Sequence, residues 1–183
     1  MKQRIAILFA GGLLALALSG VATAGPLEDG TSAYQRGDYA TAMQLWRPTA
    51  EQGNAYAQNN VGLLYQYGQG VPQDFAQALE WYRKAADQGN ALAQANLGNL
   101  YANGQGVPQD YVQAYRWFDL AASHASIAEI REIAVKARDE VATKMTPSQI
   151  AEAHRAPRRR PLKRPFKRPP QPPEPPQAPQ PPT

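Results

Sequence analysis

The strongest constraint on this chain is an internal repeat of 36 residues. Segments 54–89 and 90–125 align without a gap, are identical at 20 of 36 positions, and share the string GQGVPQD. A fixed period in the thirties is typical of solenoids built from pairs of helices. Because one such unit cannot bury its apolar face alone, successive units have to stack. We therefore predict an all-α solenoid of antiparallel helix pairs, which favours a binding surface over a catalytic cleft.

Each repeat contains two amphipathic helical patterns joined by a turn. Apolar residues recur at spacings of three and four in 54–67, and residues 74–88 show the same period. The glycines and the proline of GQGVPQD favour a chain reversal between the two patterns. Asp74 and its counterpart Asp110 open the second helices in a capping-box pattern. The repeat is therefore a helix pair with a defined connection.

One glycine recurs inside each first helix, at Gly62 and Gly98. Glycine in a helix interior costs about 1 kcal/mol relative to alanine. A residue that is unfavourable for the helix and still repeats with the period needs a packing reason. We interpret both glycines as points where two helices approach closely.

Shorter segments flank the two complete repeats. Residues 28–53 match the following units from their second half onward, which indicates a partial first repeat. Residues 126–155 form a predicted helical cap, with a charged amphipathic helix over 126–145 and a short closing helix over 147–155. A terminal element with a polar outer side keeps a solenoid soluble. The predicted repeat domain is therefore 25–155.

The beginning of the chain has the pattern of a secretory signal peptide. Lys2 and Arg4 precede an apolar run of about 14 residues, which Ala22-Thr23-Ala24 follows. That run is shorter than the roughly 20 residues that a membrane span needs. We predict that residues 1–24 are removed by cleavage after Ala24 and that the protein is periplasmic or secreted. The chain contains no Cys, so its stability has to come from packing.

The end of the chain differs sharply from the repeats in charge and composition. Residues 25–154 carry 9 Lys and Arg against 14 Asp and Glu, whereas 155–183 carry 8 against 1. Proline accounts for 12 of the 27 residues from 157 onward. Such a sequence has no apolar face with which to offset its chain entropy. We predict that 156–183 is a basic, proline-rich disordered tail with a polyproline II bias.

The basic residues of this tail suggest electrostatic attachment. They are Arg158, Arg159, Arg160, Lys163, Arg164, Lys167 and Arg168. An anionic envelope polymer or an anionic membrane surface would attract them. Nucleic acid would satisfy the same charges, but the predicted export makes us expect no nucleic-acid partner.

The sequence offers little that would support catalysis. His124 and His154 stand alone, and no Ser lies in a nucleophile-elbow motif. The recurring Asp residues are explained by helix capping. We expect no catalytic, cofactor-binding or metal site, no cofactor, and a monomeric protein that is not an enzyme.

The repeat resembles a known family. The pattern LG-x-LY-x-x-G-x-GV-x-x-D-x-x-x-A-x-x-W-x-x-x-AA, which ends the repeat that begins at residue 90, is similar to that of the Sel-one-like repeat family of the tetratricopeptide-like superfamily. The resemblance implies a right-handed superhelix that acts as an adaptor for other proteins, as in exported bacterial relatives that belong to envelope assemblies. An alternative is an envelope enzyme or penicillin-recognising protein, since some cysteine-rich relatives have been assigned that role. This chain lacks their paired Cys.

The resemblance also implies where a partner would bind. In tetratricopeptide-like stacks the first helices line the concave face, and neither 54–67 nor 90–103 contains a charged residue. We expect an unidentified protein or peptide to bind there, on an uncharged surface. The residues expected to face inward are Tyr56, Asn59, Leu63, Gln66, Leu92, Ala95, Asn99 and Ala102.

Cleavage after Ala24 is directly testable. Mass spectrometry of the exported protein is expected to find Gly25 at the N-terminus, because the A-x-A site ends there. Recovery of the chain with an intact Met1 in a membrane fraction would contradict the prediction.

Overall fold

The computed structural model describes residues 25–155, and these residues form eight α-helices and no strand. The predicted signal peptide and the predicted basic tail lie outside the described residues. The helices are α1 (Pro26–Gln35), α2 (Tyr39–Glu51), α3 (Ala55–Tyr67), α4 (Phe75–Asp87), α5 (Ala91–Asn103), α6 (Tyr111–His124), α7 (Ala128–Ala142) and α8 (Pro147–Arg155).

From α1 to α7, helices adjacent in sequence pack against each other. The pairs are α1 with α2, α3 with α4, and α5 with α6, and each second helix also contacts the first helix of the next pair. Helix α7 continues this order, and α8 folds back onto α6. The predicted all-α solenoid of helix pairs is confirmed. No helix in 25–155 is long and apolar enough to cross a membrane.

The repeated polar residues at the helix starts are N-caps. The side chain of Asp74 accepts hydrogen bonds from the backbone N–H groups of Ala76 and Gln77, at 2.9 and 3.0 Å. Asp38 and Asp110 cap α2 and α6, and each accepts from one backbone N–H group, that of Thr41 and that of Gln113. Each carboxylate satisfies backbone donors that a helix leaves unpaired at its first turn. The recurring aspartates therefore start the second helices, as the sequence predicted.

The glycine inside each first helix makes room for an aromatic ring from the second helix. A Cβ atom at Gly62 would lie 2.7 Å from the ring of Tyr82, and one at Gly98 would lie 2.6 Å from the ring of Phe118. Both rings are fully buried. The interpretation of these glycines as points of close helix approach is confirmed.

The partial first repeat contains the same contact. A Cβ atom at Gly30 would lie 2.6 Å from Cδ1 of Trp46. Trp46 also donates from Nε1 to the Leu27 carbonyl oxygen, at 3.1 Å. The distance in sequence from glycine to ring is 16 residues here and 20 in the complete repeats. A shorter connection therefore leaves the packing of the pair unchanged.

A second set of glycines joins each repeat to the one before it. Gly70 has φ +71°, and a Cβ atom there would lie 2.7 Å from the backbone carbonyl of Tyr39. Gly106 has φ +71° and the same distance to the backbone carbonyl of Phe75. The connection of each complete repeat thus lies on the start of the preceding second helix. Glycine is required for two reasons: the backbone has a positive φ, and a Cβ atom would collide with the neighbouring backbone carbonyl.

The cap differs from its predicted boundaries. Helix α7 ends at Ala142, three residues before the predicted end, because the N–H groups of Lys144 and Met145 turn back to Val141 and Ala142. This turn leads directly into α8. There, the Thr146 N–H donates to the Gln149 side chain at 2.8 Å, as the capping box predicted.

Replacing Gly98 with Ala tests the glycine–ring contact. We expect Gly98→Ala to lower the free energy of unfolding by about 1–3 kcal/mol, because overpacking the Phe118 ring outweighs the better helix propensity of alanine. Urea unfolding monitored by circular dichroism measures the change.

The matched control is the same substitution in a Phe118→Leu background. The smaller side chain leaves space for the added methyl group, so the cost of Gly98→Ala is expected to fall there. An equal cost in both backgrounds would show that the ring is not what requires glycine.

Candidate functional site

Two exposed tyrosines and two partly exposed residues form one row along α3. Tyr56, Asn60, Leu63 and Tyr67 are spaced by four, three and four residues, which places them in one row. Tyr56 is 64% exposed and Tyr67 is 45% exposed. We call these four residues the α3 stripe. It is a neutral aromatic surface on a rigid helix.

The structure separates the predicted inward-facing residues into two groups. Tyr56 is exposed, and Leu63, Gln66 and Leu92 are partly exposed. The remaining predicted positions are buried between helices, which corrects the expectation that they line an open concave surface. The buried positions are Asn59, Ala95, Asn99 and Ala102.

Asn59 is buried because it joins the first helices of two adjacent repeats. Asn96 of α5 donates from Nδ2 to Oδ1 of Asn59, at 3.1 Å. Only 6% of Asn59 and 5% of Asn96 remain exposed. The exposed row therefore passes through Asn60, one position further along the helix than predicted.

Gln66 is held by the aromatic core. The buried Tyr82 hydroxyl donates to Oε1 of Gln66, at 2.6 Å. Burial raises the pKa of Tyr82 well above its ordinary value, so the phenol stays protonated and keeps donating. Gln66 thus satisfies a core hydroxyl, and a partner would have to share it.

On α5, the positions equivalent to the α3 stripe are less open, since Asn96 and Asn99 are buried and Leu92 and Asn103 are partly exposed. Ala95 and Ala102 pack in one buried cluster with Ala134, Ala137 and Val141 of α7. Asn99 is only 6% exposed, and its Oδ1 has no hydrogen-bond partner within residues 25–155. The cap therefore closes the last complete repeat and leaves α3 as the more open first helix.

A charge pair holds the cap in this position. Arg138 of α7 donates from Nη1 to Oδ1 of Asp119 on α6, at 3.1 Å, and both side chains are largely buried. The guanidinium also contacts Asp139 at 2.8 Å. Charged groups thus join α7 to α6 in addition to apolar packing. Helices α3 and α5, by contrast, contain no Asp, Glu, Lys or Arg.

The two histidines take part in structural contacts. His124 lies against Gln94, with 3.1 Å between Nδ1 and Oε1, where the preceding repeat pairs Gln88 with Gln58. His154 on α8 lies 2.8 Å from the Tyr115 hydroxyl. Within the described segment, no three His, Cys, Asp or Glu residues are grouped so that they could hold a metal ion.

Asn60 and Tyr67 belong to the surface but were not among the predicted residues. The signal was in the sequence, since positions 56, 60, 63 and 67 form one helical row. The prediction instead used positions three, seven and ten residues after Tyr56. The predicted row leans toward α5, so that Asn59 lies under that helix and not on the exposed face. Only the position of the next helix decides between the two rows.

Asn59→Leu tests the buried asparagine pair. We expect a loss of about 1–3 kcal/mol in the free energy of unfolding, because Asn96 would keep a buried donor without its acceptor. Tyr56→Ser on the same helix is the control, and its effect is expected to stay within about 0.5 kcal/mol because Tyr56 is exposed. Equal losses in thermal or urea unfolding would contradict the assignment.

Comparison with known proteins places this chain among helical repeat proteins. No curated protein matches it. Among solved structures, it is similar to c5321, a protective antigen of uropathogenic Escherichia coli strains with an SLR fold. The identity is 33% and the TM-score 0.65, over 70% of this chain and 27% of that one. A Sel1 repeat protein from Oxalobacter formigenes is 29% identical, with a TM-score of 0.54, over 71% of this chain and 58% of that one.

A family model also matches more than half of this chain. This chain spans only about a quarter of the E. coli protein and just over half of the Oxalobacter protein. The Sel1 repeat model, however, matches three consecutive segments, 17–54, 55–90 and 91–126. The second and third matches follow the two complete repeats to within one residue. The chain belongs to the Sel1 repeat family.

Proposed function

We propose that this protein is an exported, non-catalytic adaptor that binds an uncharged segment of another protein through the α3 stripe. Sel1 repeat proteins generally mediate protein–protein interaction. The basic tail would attach the adaptor to an anionic surface of the cell envelope. The similar E. coli protein is a protective antigen, which is consistent with an exported location for this chain.

The observation that carries the proposal is the exposure of Tyr56 and Tyr67. The large hydrophobic residues exposed in the described chain are Tyr56, Tyr67, Ile127 and Ile133. Two of the four lie in one row on α3, eleven residues apart. Tyrosine is enriched at interfaces because it buries a large apolar ring and keeps a polar hydroxyl at the edge. The row therefore has the chemistry of a contact surface.

The absence of charge on α3 defines the partner further. A carboxylate-bearing peptide would need Lys or Arg at the surface to hold it, and α3 and α5 provide neither. The side chains of the stripe suit an uncharged segment that offers apolar groups and backbone polar groups. Such binding is expected to depend little on salt concentration.

The tail has the opposite chemistry. Its basic residues recur in the strings RRRP, LKRP and FKRP, so the positive charge is concentrated in a short stretch. Each basic residue near an anionic lipid surface contributes up to about 1 kcal/mol. This attraction is screened over about 8 Å at physiological ionic strength, so it has to weaken as salt rises.

Substitution of the exposed tyrosines tests the binding surface. We expect full-length Tyr56→Ser, Tyr67→Ser protein to lose the partners that wild-type protein captures from an envelope extract. Ile133→Ser, which removes an exposed apolar side chain from α7, is the matched control and is expected to keep them. Loss of the same partners from both variants, or from neither, would contradict the assignment to α3.

A vesicle assay tests the tail independently of any protein partner. Full-length protein is expected to bind phosphatidylglycerol-containing vesicles at low salt and to dissociate from them at high salt. It is expected not to bind vesicles of phosphatidylcholine alone. Replacing the seven tail Lys and Arg residues with Gln should abolish binding. Binding that survives these substitutions would show that the tail is not the attachment site.

A further inference from the structure

We propose that the protein's own segment 169–176 docks on the α3 stripe when no partner is bound. This inference rests on the proposed role of the stripe as a binding surface, and it names an intramolecular ligand that competes for that surface.

The prolines of this segment repeat with the period of a polyproline II helix. The sequence PPQPPEPP over 169–176 places proline pairs three residues apart. A polyproline II helix has three residues per turn, so in that conformation the pairs would occupy two of its three rows. Gln171 and Glu174 fall on the third row. When the prolines contact a surface, the single charge of the segment therefore faces away from it.

The spacing of the side chains along α3 also matches the spacing of the prolines along a polyproline II helix. Along α3, Leu63 lies about 10 Å and Tyr67 about 16 Å beyond Tyr56, at 1.5 Å per residue. One turn of polyproline II advances about 9 Å and two turns about 19 Å, at 3.1 Å per residue. Prolines one and two turns apart can therefore meet Leu63 and Tyr67 in succession. Aromatic-lined surfaces are what proline-rich segments bind in known recognition modules.

The polar groups are complementary as well. Proline has no N–H group, so a proline-rich segment offers mainly carbonyl oxygens as hydrogen-bond acceptors. The α3 stripe offers neutral donors, namely the hydroxyl groups of Tyr56 and Tyr67 and the amide of Asn60. Oδ1 of Asn60 accepts from Asn59 Nδ2 at 3.3 Å, so the Asn60 amide presents its own Nδ2 as a donor.

The chain is long enough for this contact within one molecule. Helix α8 ends at Arg155, and 13 residues separate it from Pro169. In extended form these 13 residues reach about 40 Å. Helix α8 packs on α6, α6 packs on α5, and α5 contacts α3 through Asn96 and Asn59, and packed helices lie about 8–10 Å apart. The path from α8 to α3 is therefore within reach.

A bound tail would lower the affinity of any external partner for the stripe. The apparent dissociation constant rises in inverse proportion to the fraction of molecules with a free surface, so a stripe that is nine-tenths occupied weakens binding about tenfold. The proline segment would thus raise the partner concentration that is needed for binding.

A spin label tests the contact directly, and the chain contains no native Cys to interfere. A nitroxide is attached to Ala178→Cys, two residues beyond the proline run, in isotope-labelled protein with its whole tail. We expect selective loss of NMR intensity at Tyr56, Asn60, Leu63 and Tyr67. The loss is expected to vanish when Pro172, Pro173, Pro175 and Pro176 are replaced by Gly, and in the Tyr56→Ser, Tyr67→Ser protein, but to persist in Ile133→Ser.

Three results would overturn the proposal. They are broadening spread evenly over the surface, broadening that survives the Pro→Gly substitutions, and broadening that appears only between mixed labelled and unlabelled molecules. The last would assign the contact to a second copy. Failure here is distinct from failure of the proposed function. If the tyrosine substitutions abolish partner capture while the label reports no contact, only the intramolecular ligand is disproved.

Discussion

The contact between a glycine in the first helix and an aromatic ring in the second is the interaction on which the rest of this structure depends. It occurs at Gly62 with Tyr82 and at Gly98 with Phe118, and the shortened first repeat keeps it with Trp46. Any side chain at these glycines would push the two helices apart. The contact fixes the rotation of each first helix, and that rotation decides which residues face its neighbours and which face solvent.

The functional surface follows from this rotation. Once Gly62 faces the ring of Tyr82, Tyr56, Leu63 and Tyr67 lie about 100–140° around α3 from it, on the side that is left open. In α5 the equivalent positions include Asn96 and Asn99, which are both buried, while α7 packs beside them on Ala95 and Ala102. The repeats are therefore alike in packing but not in exposure. A short stack with a cap has one open first helix in its middle, and in this protein that helix is uncharged and aromatic.

The sequence predicted the architecture well because the signals for it are local. The capping aspartates, the connection glycines and the period of 36 each depend on contacts within a repeat or between neighbouring repeats, and all repeat visibly. The exposed surface was predicted less well. Whether Asn59 or Asn60 faces outward depends on where α5 lies, and the two positions differ by one step on the same helix. Ala95 and Ala102 pack in a cluster with α7, which has no counterpart in the repeat.

Chemical modification of tyrosine tests the central contact most directly, because nitration requires a phenol that is both accessible and ionisable. Tyr82 is fully buried against Gly62 and burial raises its pKa, whereas Tyr56 is 64% exposed. Mass spectrometry of the native protein is predicted to find nitration at Tyr56 and Tyr67, with Tyr82 modified only after unfolding. Nitration of native Tyr82 at the rate of Tyr56 would show that the ring is not held against the glycine, and would contradict the account.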